Sequence, residues 1–150
     1  MNYPKQPHDG RRFITLDQHR CEQLLRTRNV GHVGLSLPDG PLILPVNYLL
    51  HDHGIVFRTE PRGILARLAH PQPAAFEVDE LDHETQTGWS VQLRGMSKAI
   101  NEPAELVQLW ASDPLTPWAL GVRTLFIHID GCQISGRQIT ATPVTLGSTR

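Results

Sequence analysis

The sequence predicts a mainly β fold, a small antiparallel barrel with a few short flanking helices. Three observations carry this. Runs of strand-like residues recur at short spacing along most of the chain. Tight-turn sequences punctuate them, Pro38-Asp39-Gly40 and His51-Asp52-His53-Gly54 above all. Helical periodicity is confined to two or three short stretches, so few helices are available to cover an open sheet.

A chain of 150 residues is expected to form one domain. We place a polar, flexible N-terminal arm at 1–14, the folded domain at 15–140 and a C-terminal tail at 141–150. The first helix is expected to start at Thr15, whose hydroxyl can cap the first turn while Gln18 reaches back to it. Leu16, Cys21, Leu24 and Leu25 form its apolar stripe, and Asn29 and Gly31 stop it. From Val30 the period becomes two. VGHVGLSL is a glycine-rich strand, which implies another backbone passing close by.

In PLILPVNYLL, Leu42, Leu44, Val46, Tyr48 and Leu50 share one face, and Pro41, Ile43, Pro45, Asn47 and Leu49 share the other. Both faces are largely apolar, which predicts cover on both sides. Pro45 cannot donate to a ladder, so the sheet should be open or bulged there, beside Asn47. IVFRT returns after the His51–Gly54 turn, and Gly63 to Ala69 is a short helix. AAFEVDELD is a strand. WSVQLRGMSKAI follows it with Trp89, Val91 and Leu93 inward and Ser90, Gln92 and Arg94 outward. Pro103 opens a helix with Leu106, Leu109 and Trp110 on one side. A loop with Pro114, Pro117 and Trp118 leads to TLFIHIDGCQISGRQI, one long strand with a bulge signal at Asp130-Gly131.

Composition narrows the function. With 39% hydrophobic and 19% charged residues the chain can build a core. A net charge of -1 argues against nucleic acid as a partner. No apolar run approaches the ~20 residues of a membrane span, and the N-terminus does not read as a signal peptide. Cys21 and Cys132 are expected to be reduced, buried thiols of a cytoplasmic protein.

The order of these segments, from the helix through the GLS-type strand, PVNY, FRT, a short helix, AFEVDE, GWSV and ISGRQI, resembles the pyridoxamine 5′-phosphate oxidase-like FMN-binding split-barrel proteins. It is most similar to their actinobacterial and nitroimidazole-resistance-like branch. The resemblance spans roughly Leu16 to Ile139. It implies a six-stranded antiparallel split barrel, a homodimer, and FMN in a groove between subunits. On the residues, it lays Leu44, Pro45, Val46 and Asn47 along the flavin ring and makes Arg58 and Thr59 the phosphate pair. Gly63, Ile64 and Leu65 fall on the start of the short helix, with Ile64 where the family often has lysine. Trp89 falls near the dimer groove, and Arg137 matches an arginine of the terminal strand.

The chemistry of these residues agrees with that assignment. A phosphate dianion needs charge-assisted donors, and Arg58 offers a planar fork beside the Thr59 hydroxyl. The start of the short helix adds unpaired N–H groups. A flavin ring needs an apolar wall and backbone groups at its polar edge. The rival sites are weak. His51 and His53 sit in a turn and are expected to be solvated rather than metal ligands. Glu77, Asp79, Glu80 and Asp82 read as a solvated rim. Asp17, His19, Cys21 and Glu22 lack a nucleophile elbow. No catalytic residue is assigned.

The expected function is an FMN-dependent oxidoreductase using a small-molecule electron donor and acceptor. The alternative is a non-catalytic dimeric carrier of flavin, deazaflavin or haem. The arginine- and serine-rich substrate-phosphate site of vitamin B6 oxidation is not evident.

Overall fold

The computed structural model describes residues 10–112, 115–116, 118 and 121–141. Most of the expected arm, nearly all of the expected tail, and Pro114 and Pro117 of the expected loop lie outside the described residues.

The chain runs β1 (Arg12–Leu16), α1 (Gln18–Leu25), β2 (Val30–Leu37), β3 (Gly40–His51), β4 (Gly54–Thr59), a 3₁₀ helix (Ile64–Ala69), β5 (Pro73–Asp82), β6 (Thr87–Ala99), α2 (Pro103–Trp110), β7 (Leu125–Asp130) and β8 (Gln133–Thr140). Every described strand pairing is antiparallel. The strands follow one another as β6-β5-β2-β3-β4-β7, and a β6–β7 pairing closes the ring. This is the expected six-stranded barrel, mainly β with short helices. The strands β8 and β1 continue from β6 outside it.

The closure depends on β6, which at thirteen residues is long enough to serve two partners. Gly88–Arg94 pairs with β8 and Ser97–Ala99 with β7. The change of partner occurs at Gly95, where a Cβ would lie 1.9 Å from the Asp130 carbonyl oxygen. Only glycine allows so close a crossing. The predicted single strand TLFIHIDGCQISGRQI is accordingly two strands, β7 and β8, broken at Gly131-Cys132. The Asp130-Gly131 signal marked the corner, and the tertiary closure turned a bulge into a break.

The start of the domain also departs from expectation. Arg12–Ile14, assigned to a flexible arm, belongs to β1, paired from Arg12↔Thr140 to Leu16↔Gly136. Thr15 is therefore in a strand and caps nothing. Asp17 is the N-cap, its carboxylate accepting the Arg20 amide at 2.8 Å. Thr15 and Gln18 imitate a capping box, but the open edge of β8 recruits Thr15 as a ladder partner. Two residues on, Asp17 performs the same capping chemistry.

Alternation places the core as predicted. Trp89, Val91 and Leu93 are buried, as are Val46 and Tyr48 on the inward face of β3. Tyr48 and Phe76 pack with ring centroids 4.6 Å apart, and the Tyr48 hydroxyl donates to the Leu25 carbonyl at 2.6 Å, fastening α1 to the barrel. In β2 the predicted close approach is at Gly31. A Cβ there would meet the Phe76 ring at 2.3 Å and the Glu77 carbonyl oxygen at 2.8 Å. A second apolar cluster, Val56, Ile100, Leu109, Leu115 and Phe126, seats α2 on the outside of β4 and β7.

Two expectations of cover fail in the single chain. On the second face of β3, Pro41, Ile43 and Pro45 are exposed, because no described element packs over them. Cys21 is buried, but Cys132 is exposed at the break between β7 and β8; both are free. No helix among the described residues is long and apolar enough to cross a membrane.

Candidate functional site

The barrel is split beside Pro45. On one side β3 pairs with β2 without interruption, Val30↔Asn47 through Leu37↔Gly40, and Pro45 opposes His32 with no bulge. On the other side β3 pairs with β4 only from Tyr48 to His51. The edge from Leu44 to Asn47 therefore faces no strand there. Proline is tolerated because that ladder never forms.

A cavity of about 340 Å³ occupies this opening. Leu44, Pro45, Val46 and Asn47 form one wall. Arg58 from β4 and Leu65 from the 3₁₀ helix close another. Val30, Trp118 and Arg123 complete the lining. The Asn47 side-chain carbonyl accepts the Trp118 amide at 3.3 Å, so Asn47 has a protein partner.

Arg58 is set by three contacts. Its Nε donates to the Arg123 carbonyl at 3.0 Å. Its guanidinium carbon lies 4.1 Å from the centre of the Trp110 ring and 5.5 Å from that of Phe126. Burial lowers its pKa, but a guanidinium remains charged at neutral pH. Its terminal nitrogens have no hydrogen-bond partner among the described residues. Arg123 also points a free donor inward: its Nε is buried without a partner among the described residues. Its terminal nitrogen lies 3.9 Å from Glu60.

Thr59 directly follows Arg58 and is buried; a Cβ on Gly63 would lie 3.9 Å from its hydroxyl oxygen. Leu65 is buried, whereas Ile64 is 40% exposed and lies outside the cavity lining, as does Arg62. Ile64 is thus neither a core residue nor a wall of this cavity.

Trp89 and Arg137 belong to a different place. They line a cavity of about 710 Å³ over the β6–β8 side, with Phe13, Leu81 and Arg11 among its other walls. Trp89 is buried and Arg137 exposed, in adjacent register with Ser90. One chain therefore gathers Leu44 to Asn47 with Arg58 and Leu65, leaves Thr59, Gly63 and Ile64 outside that lining, and holds Trp89 and Arg137 apart from them.

The rival sites resolve as follows. His53 is exposed, whereas His51 is half-buried and paired, its Nε2 2.7 Å from Glu105 Oε1. Among the described residues no group of three or more His, Cys, Asp or Glu is arranged to hold a metal. Asp79, Glu80 and Asp82 are exposed. Glu77 is half-buried, its pKa raised by that burial and by Asp79. Burial likewise raises the pKa of the Cys21 thiol, the opposite of what a nucleophile needs.

A family model described as pyridoxamine 5′-phosphate oxidase matches residues 17–138. The chain belongs to the pyridoxamine 5′-phosphate oxidase-like split-barrel family. An uncharacterized protein of Mycobacterium tuberculosis is 26% identical to it over 140 residues, 90% of this chain and 91% of that one. The structure of an FAD-binding protein from Mycobacterium smegmatis superposes with a TM-score of 0.68 at 23% identity, covering 83% of this chain and 95% of that one. A proposed 5-nitroimidazole antibiotic resistance protein from Bacteroides thetaiotaomicron gives a TM-score of 0.68 at 16% identity, covering 87% and 89%. Around this cavity, Arg123 was not singled out by the sequence, and Trp110, Val30 and Trp118 were noted only as parts of a helix, a strand and a loop. Arg123 precedes β7, and only the β4–β7 pairing, Thr59↔Leu125, brings it beside Arg58.

Proposed function

We propose that this split-barrel protein holds a flavin nucleotide, FMN, at the β3–β4 cavity and acts as a flavin-dependent oxidoreductase. The observation that carries this is the convergence of Arg58 and Arg123 on a cavity whose other described walls, Asn47 apart, are apolar side chains. The residues fit the group. A buried, unpartnered guanidinium nitrogen calls for an anion, and Leu44, Val46 and Leu65 suit a flat aromatic ring. The FAD-binding protein with the same fold supports the class of ligand.

In this reading Arg58 holds the phosphate, and the open edge at Pro45–Asn47 presents backbone groups to the polar side of the ring. A bound flavin supplies hydride and electron transfer. The described lining contains no carboxylate, histidine or cysteine. In this reading the described lining positions the ligand and shapes its electrostatics. We further propose that the protein is a cytoplasmic homodimer whose groove between subunits completes the site.

The test is the absorbance spectrum of the purified protein, with mass spectrometry of whatever denaturation releases. A flavin spectrum that bleaches with a nicotinamide or deazaflavin donor is expected. A flavin that stays oxidised with every donor makes the protein a carrier, and a haem spectrum reassigns the cofactor. Failure of the purified protein to bind added FMN overturns the proposal.

A further inference from the structure

An acid–base pair stands beside the cavity at the split without belonging to its lining. In β2, Gly31, Val33 and Leu35 turn into the barrel, so Val30, His32 and Gly34 share the outer face. Val30 lines the cavity, and so does Pro45, the cross-strand partner of His32 on β3. On its other side His32 opposes Glu77 of β5, which in turn opposes Gln92 of β6. His32 Nδ1 lies 3.7 Å from Glu77 Oε2, with side-chain exposures of 52% and 34%. An ion pair this exposed adds little to stability. The Nε2 of His32 has no hydrogen-bond partner among the described residues. Few other charges face the pair. Burial, and then Asp79 two residues along the same strand face, raise the pKa of Glu77. Arg28, just before β2, is paired with Glu80, and Arg94 of β6 donates to Gln133 at 2.8 Å. From β3 come only uncharged residues, with Ile43 and Pro45 exposed beside His32.

We propose that His32, backed by Glu77, is the proton donor to the electron acceptor that reacts at the split, and that this acceptor is a neutral, apolar conjugated carbonyl compound. The exposed apolar residues of β3 suit such a molecule, and both nearby arginines are already paired. Two-electron reduction of a conjugated carbonyl compound needs one hydride and one proton. Reduced flavin is the hydride source, so the redox half of the proposal rests on the flavin reading; the acid–base pair does not. The hydride forms a new C–H bond at the β-carbon, and the π pair of the C=C bond moves to the α-carbon. There it takes the proton as the Nε2–H bond of the imidazolium breaks. Neutral imidazole is left and is recharged from solvent. Glu77 faces Nδ1, which leaves Nε2 to the acceptor.

Two measurements test this. In the full chain stripped of any flavin, NMR with carboxyl-labelled glutamate follows the titration of Glu77. His32→Gln is expected to move it to higher pH, because a cation facing the carboxylate has gone. In the FMN-loaded protein, photochemically reduced flavin is reoxidised by cyclohex-2-enone, which takes up a hydride and a proton, or by ferricyanide, which takes up one electron per ion and no proton. His32→Gln should slow the enone reaction about a hundredfold, the lower end of general-acid catalysis, and leave the ferricyanide reaction unchanged. Glu77→Gln should slow the enone reaction by less and also spare ferricyanide. A merely structural role for the pair would move both acceptors together. A Glu77 titration unmoved in His32→Gln overturns the pair. Equal slowing with both acceptors, or none with either, overturns the proton donor, and a wild-type protein that leaves the enone unreduced overturns the acceptor class. A protein that takes up no flavin overturns the flavin reading and the redox step with it, while the Glu77 titration still decides the pair.

Discussion

In the proposed site, Arg58 is held by contacts that leave its terminal nitrogens without a hydrogen-bond partner among the described residues. The Trp110 ring covers one face and the Arg123 carbonyl occupies Nε, so the guanidinium plane is fixed before any anion arrives. Arg58→Ala is expected to weaken FMN by about 1.5–3 kcal/mol, and Thr59→Val by about 0.5–1.5 kcal/mol, when apo-protein is titrated. Arg58→Lys should not rescue the loss, because an ammonium neither stacks as a plane nor presents the fork. Unchanged affinity in Arg58→Ala would place the phosphate elsewhere. Tyr48 gives a prediction in pH. Burial raises its pKa well above the ordinary 10.0. The protonated phenol therefore contributes stability that is fully present below that pH. Above it the unfolded chain ionises while the folded one resists, and stability falls. Ultraviolet titration should show Tyr48 staying protonated until the barrel opens. A reversible phenolate at Tyr48 in the folded protein near its ordinary pKa would contradict the buried hydrogen bond to Leu25.

At the scale of the elements, β2 separates two uses of glycine. Gly31 sits against the Phe76 ring and the Glu77 backbone, whereas a Cβ on Gly34 would meet Ala75 at an ordinary 3.7 Å. Gly31→Ala should destabilise the barrel by about 1–3 kcal/mol through overpacking. Gly34→Ala, in the same strand, should change stability by no more than about 0.5 kcal/mol. Chemical denaturation of the two variants compares them directly, and equal effects would mean that β2 and β5 are not as close as described. Periodicity alone could place this strand and its inward face. It could not say which glycine is pressed, because that depends on the strand across the ladder.

At the scale of the molecule, the exposed apolar residues are the notable feature. Ile43 is 68% exposed, Trp118 79% and Phe13 64%, and they lie on different elements. The proposed homodimer would cover part of this apolar surface. A homodimer would also bring a second copy of the β6–β8 face, with Trp89 and Arg137, into the assembly, a face that one chain holds apart from Arg58. Sedimentation at micromolar concentration should give a dimer, and a monomer alone would count against the proposed groove between subunits.

By itself, the sequence determined the inward faces of β3 and β6 and an interruption at Pro45, which follow from alternation and from a proline that cannot join a second ladder; the six-stranded barrel and the span from Leu44 to Asn47 came from the resemblance to a family. The split itself could be expected, but its side could not, since β2 pairs straight past Pro45 and only β4 stops short. The tertiary structure alone decided that Thr15 joins a strand, because an open edge of β8 outbids a capping turn. It decided that the last long run breaks in two, because β6 changes partners at Gly95. It also decided that Arg123 stands beside Arg58. Sixty-five residues separate them in the chain, and only the pairing of β4 with β7, a long-range contact that leaves no local signature, sets the two charges at one cavity.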